Sequence, residues 1–145
     1  MKKLIVTFCM AGFIAFLTSC KTSGGATGAG APIDGEWVVT EIDGQAVSLT
    51  EDGQEAFIGF DTKEKRVNGF AGCNRMFGGI DINTKKKTVS FANMASTKMM
   101  CPDMKTEDSL LSAMGQVSNY SVDGAGMLEL KNGSGKTLVK LKKKN

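Results

Sequence analysis

The feature that most constrains this chain is its punctuation: short β-branched and aromatic runs, each halted by a turn dipeptide or a brief polar connector. Trp37-Val38-Val39-Thr40-Glu41-Ile42 stops at Asp43-Gly44. Ala56 to Phe60 and Arg66 to Phe70 flank the charged tip Asp61 to Lys65, and Gly79 to Ile82 and Thr88 to Phe91 alternate at period two around Asn83 to Lys87. Ser118 to Val122, Met127 to Lys131 and Lys136 to Leu141 are separated by Asp123-Gly124-Ala125-Gly126 and Asn132-Gly133-Ser134-Gly135. With 18 glycines and only 2 prolines in 145 residues, the chain suits a turn-rich antiparallel sheet better than a helical bundle. The expected class is mostly β (α+β): a small antiparallel β-barrel or roll of about eight strands, closed so that no long edge is left exposed.

One helix interrupts this pattern, expected over about 103–117. Leu110, Leu111, Met114 and Val117 form a single apolar stripe, while Thr106, Glu107, Asp108, Ser112 and Gln116 are expected to face away. Pro102 suits the entry, Asp103 is a candidate cap, and Glu107 and Asp108 lie near the positive end of the dipole. The closing run Lys142-Lys143-Lys144-Asn145 reads as a solvated end that discourages edge pairing.

The first 32 residues have a different character. Lys2 and Lys3 precede an apolar stretch from Leu4 to Leu17, too short to span a bilayer stably and typical of an export signal. Leu17-Thr18-Ser19-Cys20 then resembles a bacterial lipobox, which implies a lipoprotein signal peptide over 1–19 and acylation of Cys20. Two or more acyl chains anchor a protein stably. Lys21 follows that cysteine where enteric-type sorting uses aspartate to retain proteins in the inner membrane, so the resemblance implies the outer membrane, facing the periplasm. Residues 20–32 are nearly all small and lack hydrophobic periodicity, as expected of a lipidated flexible Gly/Ser/Ala linker. The folded domain is expected over 33–142.

Composition excludes several functions. Histidine is absent, which removes the commonest general base and zinc ligand. With Lys2 and Lys3 lost in the leader, 16 basic residues face 15 acidic ones, so there is no electrostatic case for nucleic acid. No cofactor motif is present.

The unusual residues concentrate in two segments, Gly69 to Gly79 and Ala95 to Pro102, each with one cysteine. Gly72-Cys73-Asn74 after a strand, Gly78 or Gly79 closing the loop, then Ser96-Thr97-Lys98-Met99-Met100-Cys101 and an amphipathic helix, together resemble the META domain of HslJ-like envelope lipoproteins. The family motif thus comprises Gly72, Cys73, Asn74, Thr97, Lys98, Met99 and Cys101, with Lys98 standing where family members usually carry arginine. The resemblance covers roughly Gly35 to Leu141. It implies a small, mostly antiparallel β structure with one helix, an exported or lipid-anchored protein, heat inducibility in some members, and no agreed enzymatic activity.

The residues themselves support a direct reading. The glycines permit a tight cysteine loop, and Asn74 can bond turn backbone within it. One cysteine per segment in an exported chain invites a Cys73–Cys101 disulfide, the alternative being two buried reduced thiols. A nucleophilic cysteine would need an activating group, and only Lys98, Arg75 or the helix terminus near Cys101 offers one, so the chain reads as no enzyme. Soft ligands offer one further possibility: Met94, Met99, Met100 and Met104 gather around Cys101, with Met76 near Cys73, a set that could take Cu(I) through Met99, Met100, Cys101 and Met104. The plainer reading is that these methionines fill an irregular core. The expected function is a stress-related, lipid-anchored binding module whose partner is an envelope protein or ligand. The competing class is a small-ligand or metal carrier using the barrel interior.

Overall fold

A computed structural model describes residues 32–50 and 52–145. The leader, Cys20 and all but the last residue of the linker lie outside the described residues. Nine antiparallel strands form one sheet: β1 (Gly35–Ile42), β2 (Gln45–Ala46), β3 (Phe57–Asp61), β4 (Arg66–Phe70), β5 (Arg75–Asn83), β6 (Thr88–Ser96), β7 (Asn119–Val122), β8 (Leu128–Lys131) and β9 (Thr137–Lys143), with helix α1 (Lys105–Met114) between β6 and β7. The order is β2-β1-β3-β4-β5-β6-β7-β8-β9, and β1 also pairs with β9, which closes the sheet into a ring with β2 as a short flank. Closure removes the exposed edges that would otherwise invite aggregation.

The architecture is the expected mostly-β one, with informative differences. β2 adds a ninth strand: Asp43, at φ 48, and Gly44 fold the chain straight back, so Ile42 faces Gln45. The closing lysines are not a free tail. β9 runs to Lys143 against Trp37, and Lys144 pairs with Glu36 while its ammonium lies over the Phe57 ring.

Inside the ring, alternate positions carry the apolar side chains. Trp37, Val39, Ile58, Phe60, Val67, Met76, Ile80, Val89, Leu128, Leu130, Val139 and Leu141 are all buried in one cluster. Leu110, Ala113 and Met114 bring the inner face of α1 onto that cluster, with the helix lying against β1 and β9. Buried Trp37 is satisfied, its indole N–H donating to the Ile33 carbonyl at 2.7 Å.

The helix is shorter than its apolar stripe suggests. Asp103 Oδ1 accepts the Lys105 N–H and starts the turn, with Met104 in the capping position. After Gly115 the Gln116 and Val117 N–H groups bond three residues back, to Ala113 and Met114. Val117 is therefore buried as part of a tightened turn, outside the helix proper.

β5 and β6 also run longer than their alternation implies. Gly78 and Gly79 do not close the cysteine loop; both lie within β5. A Cβ on Gly78 would fall 2.4 Å from Met94 Sδ, so glycine lets β6 cross closely there, and Asn93 at φ 51 supplies the bulge that shifts the register between Phe77 and Gly79.

Candidate functional site

The two cysteine segments meet at the start of β5. Ala71 N–H bonds the Asn74 carbonyl, making a tight loop whose corner is Gly72 at φ 113. A Cβ on Gly72 would also approach Thr106 Cβ at 3.3 Å. Replacing Gly72 with alanine therefore combines a forbidden backbone angle with a tight contact, and we expect a loss of about 2 kcal/mol in chemical denaturation. An unchanged midpoint would mean the loop tolerates a normal φ.

Cys73 and Cys101 form a disulfide with Cα atoms 5.9 Å apart, joining positions 28 residues distant in sequence. Cys73 is buried, whereas Cys101 lines a surface cleft of about 210 Å³ together with Ser48, Thr50, Asp52, Gly72 and Thr106.

Beside the disulfide lies a polar lock centred on Asn74, which is 1% exposed. Its backbone N–H donates to Glu107 Oε2 at 2.8 Å, and its side-chain amide donates to Glu107 Oε1 at 3.1 Å and to the Met99 carbonyl at 3.0 Å. Its Oδ1 accepts the Thr97 hydroxyl at 2.7 Å and the Met99 N–H at 2.8 Å. One amide thus clamps three separated pieces of chain, and no described buried side-chain nitrogen or oxygen lacks a partner. Asn74 does not serve its own turn as the sequence suggests; its side chain reaches across to the other segment and the helix.

Glu107 is the residue that helical periodicity misplaces. Expected on the outer face, it is 3% exposed and turned onto Asn74 from the first turn of α1. A buried carboxylate is tolerated when hydrogen bonds replace its hydration, and here a backbone N–H and an amide do so. No single-sequence signal marks this, because an acidic residue in a first helical turn is ordinary.

The same lock exposes two apolar side chains. Met99 is 60% and Met100 96% exposed, although the Met99 backbone is bonded through both its N–H and its carbonyl. The Cu(I) reading fails on this geometry. Cys101 is spent in the disulfide and offers no thiolate, Met76 is buried in the core, and Met99 and Met100 project into solvent. Among the described residues no group of three or more His, Cys, Asp or Glu side chains could hold a metal ion. Lys98 is exposed and Thr97 is drawn into the lock, so the motif residues play unequal parts.

The family model of the META domain matches residues 31–145. The chain belongs to the META domain family. Solved structures agree with that fold. A protein from Burkholderia xenovorans, determined by NMR, is 20% identical, with 86% of this chain and 97% of that chain covered at a TM-score of 0.59. A DUF4847 family protein from Bacteroides vulgatus, a crystal structure, is 14% identical, with 78% and 96% covered at a TM-score of 0.54. No curated protein sequence matches this META domain. Its family and these neighbours indicate no catalytic family.

Proposed function

We propose that this META domain is a non-enzymatic binding module of the cell envelope, held by acylated Cys20 to the outer membrane and facing the periplasm, and that it acts by docking a partner protein. The observation that supports this reading is the exposure of Met99 and Met100 on a loop whose backbone is pinned by Asn74 and the disulfide. An exposed methionine on a floppy loop would be unremarkable; one on a segment held by three hydrogen bonds to the Asn74 side chain and a covalent bridge is presented. Methionine adapts its shape to a partner and gains several tenths to a few kcal/mol on burial. The carrier reading is less well supported, since the ring interior is filled by Trp37, Ile58, Met76 and Leu128, and the cleft beside Cys101 is small and open to solvent, with Leu49, Ala56 and Pro102 interleaved among hydroxyls and carboxylates.

The test is purification of the full chain from its native membrane after chemical crosslinking, beside the Met99→Ser/Met100→Ser variant, with radiolabelled palmitate added to the growing cells. Anchoring predicts label on the wild type that is lost in Cys20→Ser, and docking through the loop predicts a defined crosslinked protein whose yield falls at least tenfold in the methionine variant. Label that persists in Cys20→Ser, or crosslinks indifferent to both methionines, would refute the respective half of the proposal.

A further inference from the structure

The sequence contains 16 lysines but only two arginines, Arg66 and Arg75, and the fold brings both to one outer face. Arg66 and Asn68 on β4, and Arg75 and Phe77 on β5, are exposed, alternating with buried Val67, Gly69 and Met76. The β4–β5 register sets Arg66 beside Gly79, Asn68 beside Phe77 and Phe70 beside Arg75. Arg75, Phe77 and Gly79 therefore follow one another down the same face of β5, with Arg66 abreast of Gly79. Phe77 is 52% exposed between the two cationic positions, and its neighbour across the sheet on β6 is the small residue Ala95. Arg66, Asn68, Phe77, Gly79 and Asn93 border a shallow groove of about 490 Å³.

Neither guanidinium is neutralised by an ion pair among the described residues, whose four ion pairs all use lysine. Asp61 lies opposite Arg66 in register and keeps its charge, but it forms no ion pair with Arg66; its Oδ1 accepts the Glu64 N–H and helps close the β3–β4 turn. Guanidinium is the cation whose planar fork matches a carboxylate through two parallel hydrogen bonds, and it holds its hydration loosely. Four residues of extended chain separate the two cationic positions, roughly 13 Å at the rise of a strand. That is also the spacing of side chains i and i+4 on one face of an extended peptide, with side chain i+2 falling over Phe77.

We infer that the Arg66–Phe77–Arg75 face is a docking site for an extended acidic segment of a partner protein, carrying carboxylates at i and i+4 and an apolar side chain at i+2. This site lies on different residues from the Met99–Met100 loop and does not depend on lipidation.

The experiment uses the full chain purified in mild detergent and a fluorescent capped heptapeptide, Thr-Glu-Thr-Leu-Thr-Glu-Thr, followed by anisotropy at low salt. Saturable binding is expected in the range of about 10–100 µM, weakening steeply with salt. Arg66→Gln, Arg75→Gln and Phe77→Ser should each weaken it about tenfold, and Arg75→Lys, which keeps the charge without the fork, by a smaller factor. The same peptide with both glutamates replaced by lysine should not bind, a peptide with glutamates two residues apart should bind several-fold more weakly, and Met99→Ser/Met100→Ser should leave binding unchanged. The inference is overturned if no saturable binding is seen to about 1 mM, if binding ignores both arginines, or if the two glutamate spacings are equivalent. It is also overturned if vesicles of phosphatidylglycerol bind in place of the peptide and lose that binding in the same variants, which would assign the face to lipid phosphate.

Discussion

Asn74→Asp lowers the stability of the folded domain by about 4 kcal/mol at neutral pH, measured by chemical denaturation. The exchange deletes the two side-chain N–H donors and sets a second carboxylate about 3 Å from that of Glu107, in a place shut off from water. Asn74→Ala costs less, about 3 kcal/mol, because it removes hydrogen bonds without adding charge; the Asn74 backbone N–H still serves Glu107. The two variants differ in their response to pH. Repulsion raises the proton affinity of the new carboxyl above its unfolded value. A carboxyl raised in this way favours the folded state at low pH and loses that advantage as pH rises through its folded value. The gap between aspartate and alanine variants should therefore narrow as pH falls towards the ordinary carboxylate range. Adding Glu107→Gln to Asn74→Asp should restore at least about 1.5 kcal/mol, since one carboxylate then faces an amide with the polarity of the pair reversed. Equal costs for aspartate and alanine, flat with pH, would show that Glu107 is not the group facing Asn74.

Removing the disulfide is the second large effect. Cys73→Ala with Cys101→Ala, or full reduction, releases a loop of about 29 residues, and the chain-entropy relation puts the loss at about 3.5 kcal/mol. For a domain of this size that is roughly 10–20 °C in Tm. The reduced protein should stay folded, because the Asn74 lock spans the same two segments without covalent help. Matching midpoints for oxidised and reduced protein would contradict the bridge, and collapse of the whole sheet on reduction would contradict the independence of the lock.

These two effects mark what the sequence made legible and what it did not. Turn dipeptides and period-two alternation mark every strand except β2, and the run Arg66 to Phe70 coincides with β4 to the residue, because hairpin chemistry is written in adjacent side chains. Closure of the ring was expected on the general ground that edges are avoided, but the β1–β9 pairing joins residues about a hundred positions apart, and no local signal names it. The motif segments could be seen to belong together through their cysteines. The more exacting partner, Glu107, was hidden because helical periodicity sorts residues by polarity and a buried carboxylate violates that sorting. Gly78 and Gly79 misled for a related reason: glycine marks either a turn or a close crossing of strands, and only the position of Met94 decides between them. The outer face bearing Arg66, Phe77 and Arg75 depends on register across β4 and β5, which sequence alone does not supply.

Presentation of Met99 and Met100 requires that their backbone be rigid while their side chains stay in water, and amide hydrogen exchange of Met99 in the native oxidised protein measures this most directly. A Met99 N–H held by Asn74 Oδ1 at 2.8 Å should exchange only through opening of the lock, slowed by about 10³-fold or more and sharply accelerated in Asn74→Ala. Exchange of the Met99 amide at the rate of an unstructured loop, unchanged by Asn74→Ala, would show that nothing holds the segment out, and the docking proposal would fall with it.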